Sequence, residues 1–253
     1  MKLNEGIRNL AAMGLVVLAS ACATAEPGAD LAATDRTQGF NQAMLDVNIA
    51  LDRNVLRPAA QGYDAITPTT IKHLLGNGFS HLELPGDFIN HLLQGEIDPA
   101  LATLGRFTLN TVLGAGGLLD PATEFGLPKQ ETDFGITLGK HGVEEGNYFV
   151  LPIVGPTTTR DAVGGVVDFA LSPTTYIGFV KPGISPEAGL SIAAGDAVHN
   201  RDARGEIIDQ ILYESADPYI SLRSVYLQRR RALVAGDEAG AETLPDIFEN
   251  TNN

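Results

Sequence analysis

Apolar and polar positions repeat at helical spacing through most of this chain. Phe40–Arg57 puts Met44, Val47, Leu51 and Val55 on one side, and Pro58 predicts its end. Thr69–Leu75 reads as a short helix stopped by Gly76-Asn77-Gly78. Ser80–Gly95 reads as another, with Phe88, Ile89, Leu92 and Leu93 on its buried face and an interruption at Pro85-Gly86. Pro99–Leu119 differs. At 100° per residue, Thr103, Arg106 and Asn110 fall within roughly 60° of each other, and Leu101, Leu104, Leu109 and Val112 cover most of the rest. A water-facing helix normally has a polar face at least as wide as its apolar stripe. A narrow stripe carrying an arginine with no obvious partner suits a helix whose broad side meets protein or lipid. Its thin edge then meets a wet cavity. The alternative is a core helix with Arg106 snorkelling to water at one side.

A starting device then recurs. Asp98-Pro99, Asp120-Pro121, Ser172-Pro173, Ser185-Pro186 and Asp217-Pro218 each place an N-cap residue before a proline suited to the first helical position. They predict an all-α domain of many short helices, Asp120-Pro121 opening only a turn. Tyr148–Pro156 has strand-like composition, but its two prolines and Gly155 argue against a central strand. Thr157–Ala170 follows as a helix capped by Thr157 or Thr158. Glu187–Ser215 and Asp217–Ala235 are the last two helices, the second lined by Tyr219, Leu222, Tyr226 and Leu233. Arg229, Arg230 and Arg231 in its final turns suit the macrodipole, or contact an acidic partner or lipid head groups.

The N-terminus changes the picture. Lys2 and Arg8, the apolar run Leu10–Leu18 and the small residues Ala19-Ser20-Ala21 form a signal peptide too short to span a bilayer. Cys22, the only cysteine of 253 residues, follows directly, as in a lipobox, although Ala19 stands where leucine is usual. Cys22 is the expected lipidation site, with acyl chains worth about 0.8 kcal/mol per buried CH₂. Ala23 favours the outer membrane, and one thiol excludes a disulfide framework. The expected organisation is signal 1–21, lipidated N-terminus and tether 22–38, helical domain 39–235 and acidic tail 236–253.

Removing Lys2, Arg8 and Glu5 from 17 basic and 31 acidic residues leaves 15 and 30, a net charge of −15. Such a chain repels nucleic acid and is not drawn to an anionic bilayer by charge, so membrane attachment must be apolar. After the signal no run of 18 apolar residues predicts a transmembrane helix.

No catalytic residues are assigned and no cofactor is expected. Gly114–Gly117 and Gly135–Lys140 lack the spacing of a phosphate loop or dinucleotide fingerprint and read as close-packing and C-cap glycines. His73, His81, His91, His141 and His199 make no HExxH pattern, so no metal is expected and each reads as a surface or capping residue. No G-x-S-x-G marks a hydrolase.

Across about Phe40 to Arg231 the chain resembles the MlaA (VacJ) family of outer-membrane lipoproteins. The stretches that carry the resemblance are Phe40-Asn41-Gln42-Ala43-Met44 with Leu51-Asp52-Arg53 and Arg57-Pro58, then Gly105-Arg106-Phe107 through Asn110-Thr111 to Gly117. Further on they are Asp133-Phe134-Gly135 with Thr137-Leu138-Gly139, Tyr148, Leu151-Pro152, Thr159-Arg160-Asp161, and Asp217-Pro218-Tyr219 with Tyr226. The chain departs from the family pattern at Asp35-Arg36 and Gly146-Asn147. The resemblance implies a ring of short helices in one membrane leaflet around an amphipathic central channel. It implies removal of mislocalised phospholipid from the outer leaflet. Its implied partners are a trimeric porin and a periplasmic, MlaC-like lipid shuttle that feeds an inner-membrane ABC transporter. The periodicity of Pro99–Leu119 makes Thr103, Arg106 and Asn110 candidate channel residues, and Phe40, Asn41 and Met44 are candidate loop or hairpin-motif residues. Arg229, Arg230 and Arg231 are candidate partner contacts. The alternative is an adaptor lipoprotein that bridges porin and periplasmic partners without moving lipid.

Overall fold

The computed structural model describes residues 37–172, 188–236 and 240. The expected signal, Cys22 and the tether through residue 36, Pro173, the Ser185-Pro186 start and most of the acidic tail lie outside the described residues. The described chain is mostly helical, with one small hairpin. Helix α1, Gln38–Leu51, runs through a π turn at Asp52–Leu56 into α2, Arg57–Ile66. Pro58 therefore does not end the helix. The Arg57 N–H bonds the Asp52 carbonyl, a widened π turn, and Pro58 follows at the start of the next segment. Widening there relieves the clash a proline ring makes with the preceding turn, and its missing N–H leaves no gap.

The predicted helices Thr69–Leu75 and Ser80–Gly95 are a single helix, α3, Thr69–Gln94, closed by Gly95 at φ 77°. Packing along α4, Ile97–Val112, overrides the breakers. The glycines let the neighbouring loop close in: a Cβ on Gly78 would touch Leu118 at 3.5 Å, and one on Gly117 would lie inside the His81 ring. Helix α4 begins two residues before Pro99, so Asp98 lies in its first turn rather than at its cap. Helix α5, Pro121–Glu124, is the short turn expected, with Asp120 accepting from the Thr123 N–H. Helix α6, Phe134–Lys140, is capped by Asp133.

Tyr148–Pro156 becomes a hairpin. Strand β1, Tyr148–Leu151, pairs antiparallel with β2, Gly155–Thr158, in a two-stranded sheet. Asn41 on α1 is fully buried and satisfies the outer edge of β1. It donates to the Tyr148 carbonyl (3.1 Å) and accepts from the Val150 N–H (3.0 Å). This is how a lone hairpin survives inside a helical protein. Thr158 caps α7, Thr159–Leu171, as predicted. The expected helix Glu187–Ser215 divides into α8, Ala188–Ala203, and α9, Gly205–Asp209, and ends in a second π turn, Gln210–Glu214. The final helix, α10, is Pro218–Ala235, capped by Asp217, with Tyr219, Leu222, Tyr226 and Leu233 buried as the pattern predicts. The core joins α1, the hairpin, the second π turn and α10 through Leu45, Val150, Ile211 and Leu227.

Candidate functional site

Three helices, α1, α3 and α4, carry polar side chains inward. On α3 the buried positions include His81, Asp87, Asn90 and His91, while Leu92 and Leu93 are exposed, the reverse of the predicted face. On α1 Asn41, Leu45 and Asp52 are buried, and Val47 and Val55 are exposed. On α4 Thr103, Arg106 and Asn110 are buried, Arg106 to 5% exposure, while Leu101 and Val112 stand 59% and 73% exposed. Leu104, Phe107, Leu113, Leu118, Leu119 and Phe125 extend this apolar surface across the α4–α5 loop.

Arg106 is not partnerless. Its guanidinium donates to Thr123 Oγ1 (2.9 Å), to the Leu127 carbonyl and to Asp120 Oδ2 (2.9 Å). Asn110 donates to Asp120 Oδ1 (2.8 Å) and accepts from the Ala122 N–H (3.0 Å). The stripe clamps α5 back onto α4. Gly114 allows the reversal, since a Cβ there would run into the Asn110 and Leu119 carbonyls.

A cavity among the described residues lies elsewhere and includes none of Thr103, Arg106 or Asn110. About 270 Å³ opens between α1, the hairpin turn, α8, α9 and α10. Leu45, Leu51, Leu56, Ile208 and Leu222 give it an apolar wall, and Asn48, Asp52, Asn200, Arg201 and Arg204 a polar one. Both π turns of the described residues contribute to it, through Asp52 and Leu56 and through Ile211 and Leu212. π turns recur at functional sites because the extra residue re-aims side chains. Asp52 receives Arg201 through Nε (2.7 Å) and Nη2 (3.1 Å) and the Tyr213 hydroxyl (2.7 Å). Burial and then the Asp52 carboxylate push the Tyr213 phenol up to about 12, so it stays a neutral donor. Arg201 also reaches Asp209 (2.5 Å), which takes Arg57 (2.6 Å). Sequence reasoning gave these residues no role. The signal was an aspartate seven residues after Leu45, in register with the buried side of α1.

The arginine triplet is paired inside the chain, and Arg230 is too buried to offer the partner contact expected of it. Arg230 is buried between Asp133 (2.5 and 2.9 Å) and Asp161 (3.0 and 3.1 Å). Arg229 takes Glu131, and Arg231 takes Glu145 (2.6 Å). Burial works to raise the Asp161 carboxyl, but Arg230 and Arg160 overcome it and hold it down at about 2. Gly135 and Gly139 pack closely here as expected: a Cβ on Gly135 would stand 2.7 Å from Arg230 Nη2, and one on Gly139 2.7 Å from Val234.

Phe40, Asn41 and Met44 lie on α1 rather than in a loop or hairpin. Phe40 is exposed, Asn41 braces β1 and Met44 packs against the core. Three histidines expected at the surface are buried: His81, stacked on Phe107 with ring centroids 4.9 Å apart, His91 and His199. Among the described residues no helix is long and apolar enough to cross a membrane.

Comparison with known proteins agrees with this arrangement. The model of the MlaA lipoprotein family matches residues 33–233. An intermembrane phospholipid transport system lipoprotein MlaA of Haemophilus influenzae is 35% identical over 220 residues, 84% of each chain. The Escherichia coli protein of that name is 32% identical over 219 residues, 84% of this chain and 83% of that one. An uncharacterised protein of Rickettsia felis is 34% identical over 201 residues, 79% of this chain and 78% of its own. A solved structure, reported as a structural basis for maintenance of bacterial outer membrane lipid asymmetry, superposes with a TM-score of 0.69 at 31% identity. It is covered over 99% of its length and covers 79% of this chain. With a family match over most of its length and relatives above 30% identity on both measures, the chain belongs to the MlaA lipoprotein family.

Proposed function

We propose that this chain is an outer-membrane lipoprotein of a Gram-negative envelope, anchored through Cys22, that takes mislocalised phospholipid out of the outer leaflet. It passes the lipid to a periplasmic lipid-binding carrier and on to an inner-membrane ABC transporter, beside a trimeric porin. The helices form a ring lying in one leaflet, and lipid passes through its amphipathic middle without a chemical step.

One observation supports the reading: α1, α3 and α4 bury polar side chains and leave large apolar ones exposed. A large apolar side chain left in water forgoes about 1.5–3 kcal/mol of burial. A surface holding Leu101, Leu104, Val112, Leu113 and Leu119 is therefore costly in water and stable against hydrocarbon. The net charge of −15, from 15 basic and 30 acidic residues after the signal, offers an anionic bilayer no attraction, so insertion rests on this face and the anchor. Contacts run in a closed circuit, from α1 to α2, α8, α3, α6, α10, the hairpin and back to α1, which supports a ring. The relatives named for intermembrane phospholipid transport support the cargo.

Deleting the gene in its host tests the proposal. Surface phospholipid, labelled on intact cells with a membrane-impermeant reagent, should rise and detergent resistance fall, and the wild-type gene should restore both. Unchanged surface lipid in the deletion strain overturns the proposal.

A further inference from the structure

The polar wall of the cavity holds two kinds of side chain. Arg201 belongs to the frame: Nε and Nη2 donate to Asp52, Nη2 also donates to Asp209, and Nη1 donates to the Gly205 carbonyl (3.4 Å). Asn200 and Arg204 line the cavity beside it. They stand one helical turn apart, since the Arg204 N–H bonds the Asn200 carbonyl (3.1 Å). Asn200 Oδ1 is buried and accepts no hydrogen bond among the described residues. The other end of that amide is occupied: it stabilises the ionised Asp196 carboxyl one turn back, which its N–H₂ does as a donor. A buried acceptor without a donor calls for a group to fill it. Arg204 is 4% exposed, and its guanidinium presents a planar fork that matches a phosphate.

The surroundings narrow the identity of the donor. Asp196 Oδ1 is also buried and accepts no hydrogen bond among the described residues. Burial and then Glu83 push the Asp196 carboxyl up to about 6, so a nearby cation relieves it. Along one edge of α8 and its last turn, charge runs from negative at Asp196, through Asn200, to positive at Arg204. A phosphoethanolamine group complements that order, its phosphate at Arg204 and its ammonium toward Asn200. One turn rises about 5.4 Å, a span that the two carbons between phosphate and amine bridge. The space suffices. An apolar cavity of about 150 Å³ holds benzene, so about 270 Å³ takes this head group with the first carbons of a chain against Leu45, Leu51 and Ile208.

We propose that Asn200 and Arg204 form a head-group site that selects phospholipids whose amine keeps an N–H, Arg204 taking the phosphate and Asn200 Oδ1 the ammonium. The inference rests on the phospholipid-carrying function proposed above and names the lipid class for it.

The test uses the full chain in detergent and three lipids with the same dipalmitoyl chains: phosphatidylethanolamine, its N,N-dimethyl form and phosphatidylcholine. The first two keep an N–H; phosphatidylcholine has none and carries the same charges. Bound lipid is counted by native mass spectrometry over a concentration series. The two N–H lipids should bind about tenfold more tightly than phosphatidylcholine, as expected for one charge-assisted hydrogen bond. Equal binding of all three overturns the proposal. Asn200→Leu should bring all three to the phosphatidylcholine level, and Asn200→Ala stands in if the leucine variant does not fold. A preference that survives both overturns the proposal. Arg204→Gln should weaken all three about tenfold and keep their ratio; affinities within twofold of wild type overturn it. If all three bind alike while gene deletion raises surface phospholipid, the head-group site fails and the transport function stands. If none binds and deletion leaves surface lipid unchanged, both fail.

Discussion

Placing two lysines on α4, Leu101→Lys with Val112→Lys, decides what the exposed apolar face meets. Both side chains point away from the Arg106 clamp and stand 59% and 73% exposed, so neither substitution opens a hole in the fold. Facing water, such changes alter stability by about 0.5 kcal/mol or less each. Facing hydrocarbon, a lysine costs about 2.5–3.5 kcal/mol at the middle of a bilayer. At the depth of one leaflet, with snorkelling, roughly half of that is realistic, so the pair costs about 3 kcal/mol, on the order of a hundredfold in partitioning. The assay is vesicle flotation in a Cys22→Ser background, which removes the expected acyl anchor. The parent should float with the vesicles, and the lysine pair should shift about a hundredfold toward buffer with its melting temperature in detergent unchanged. Gln228→Lys, on an already polar exposed position of α10, should leave partitioning within twofold. A Cys22→Ser parent that is folded and free in buffer, or a lysine pair that floats as well as its parent, refutes the reasoning.

Removing one charge from the Arg230 network should be expensive. Arg230→Leu strands Asp133 and Asp161 side by side and should cost about 3–5 kcal/mol, read as a lower denaturation midpoint; a midpoint equal to wild type would show that the network is dispensable. Asp161, at about 2 folded against 3.8 in the free side chain, stabilises the fold above about pH 4. That contribution, about 2 kcal/mol, is lost as pH falls from 4 toward 2, because the unfolded chain then binds the extra proton. Asp161→Asn should flatten this acid limb of the melting curve. Asp196 has the opposite sign: burial and then Glu83 raise it to about 6, so ionising it weakens the fold as pH rises from about 4 to 6. Asp196→Asn should therefore raise the melting temperature at pH 8 and leave it unchanged near pH 4. Two adjacent glycines of α7 should answer oppositely: a Cβ on Gly164 meets the Gly135 backbone, 2.6 Å from its Cα, while one on Gly165 meets open space. Gly164→Ala should cost about 1–3 kcal/mol and Gly165→Ala should gain about 0.5–1 kcal/mol, both by thermal melting.

Periodicity located the helices and, on α3, put Leu92 and Leu93 on the buried side, where the structure leaves them exposed. The Asp-Pro signals at Asp120 and Asp217 and the Thr158 cap read correctly because capping is decided within four residues. Pro58 and Pro85 read as breaks because a local rule does not see a π turn or a partner helix. The inverted faces have another cause. The rule that apolar means inside assumes water outside, and Leu92, Leu93, Val47 and Val112 break it together. The narrow stripe on α4 did carry the warning, but the partners of Arg106 arrive from a loop 14 to 21 residues away, beyond any helical register. The cavity was harder still to read. Its polar wall joins Asp52 to Arg201 across 149 positions, and no spacing rule links them.

The ion pairs suit the lipid setting proposed above. Between helices bathed in lipid the hydrophobic effect supplies little attraction, because lipid tails are as apolar as leucine. Association then depends on close packing and on polar groups that find partners only in the correct arrangement. Here the two kinds of contact coincide: Gly135 and Gly164 bring α6 onto α7, and that approach sets Asp133 and Asp161 on either side of Arg230. A buried ion pair is weak support for stability, since desolvation offsets most of its attraction. It is strong support for register, because a one-turn slip of α10 leaves Arg230 without Asp133, Tyr226 without Asp161 and Arg231 without Glu145 at once. The expected signature is a variant with Arg230, Asp133 and Asp161 replaced together by leucine-sized apolar residues: it melts near the wild-type temperature yet populates more than one packing. Near-wild-type melting with a single set of side-chain resonances would show that register is fixed elsewhere.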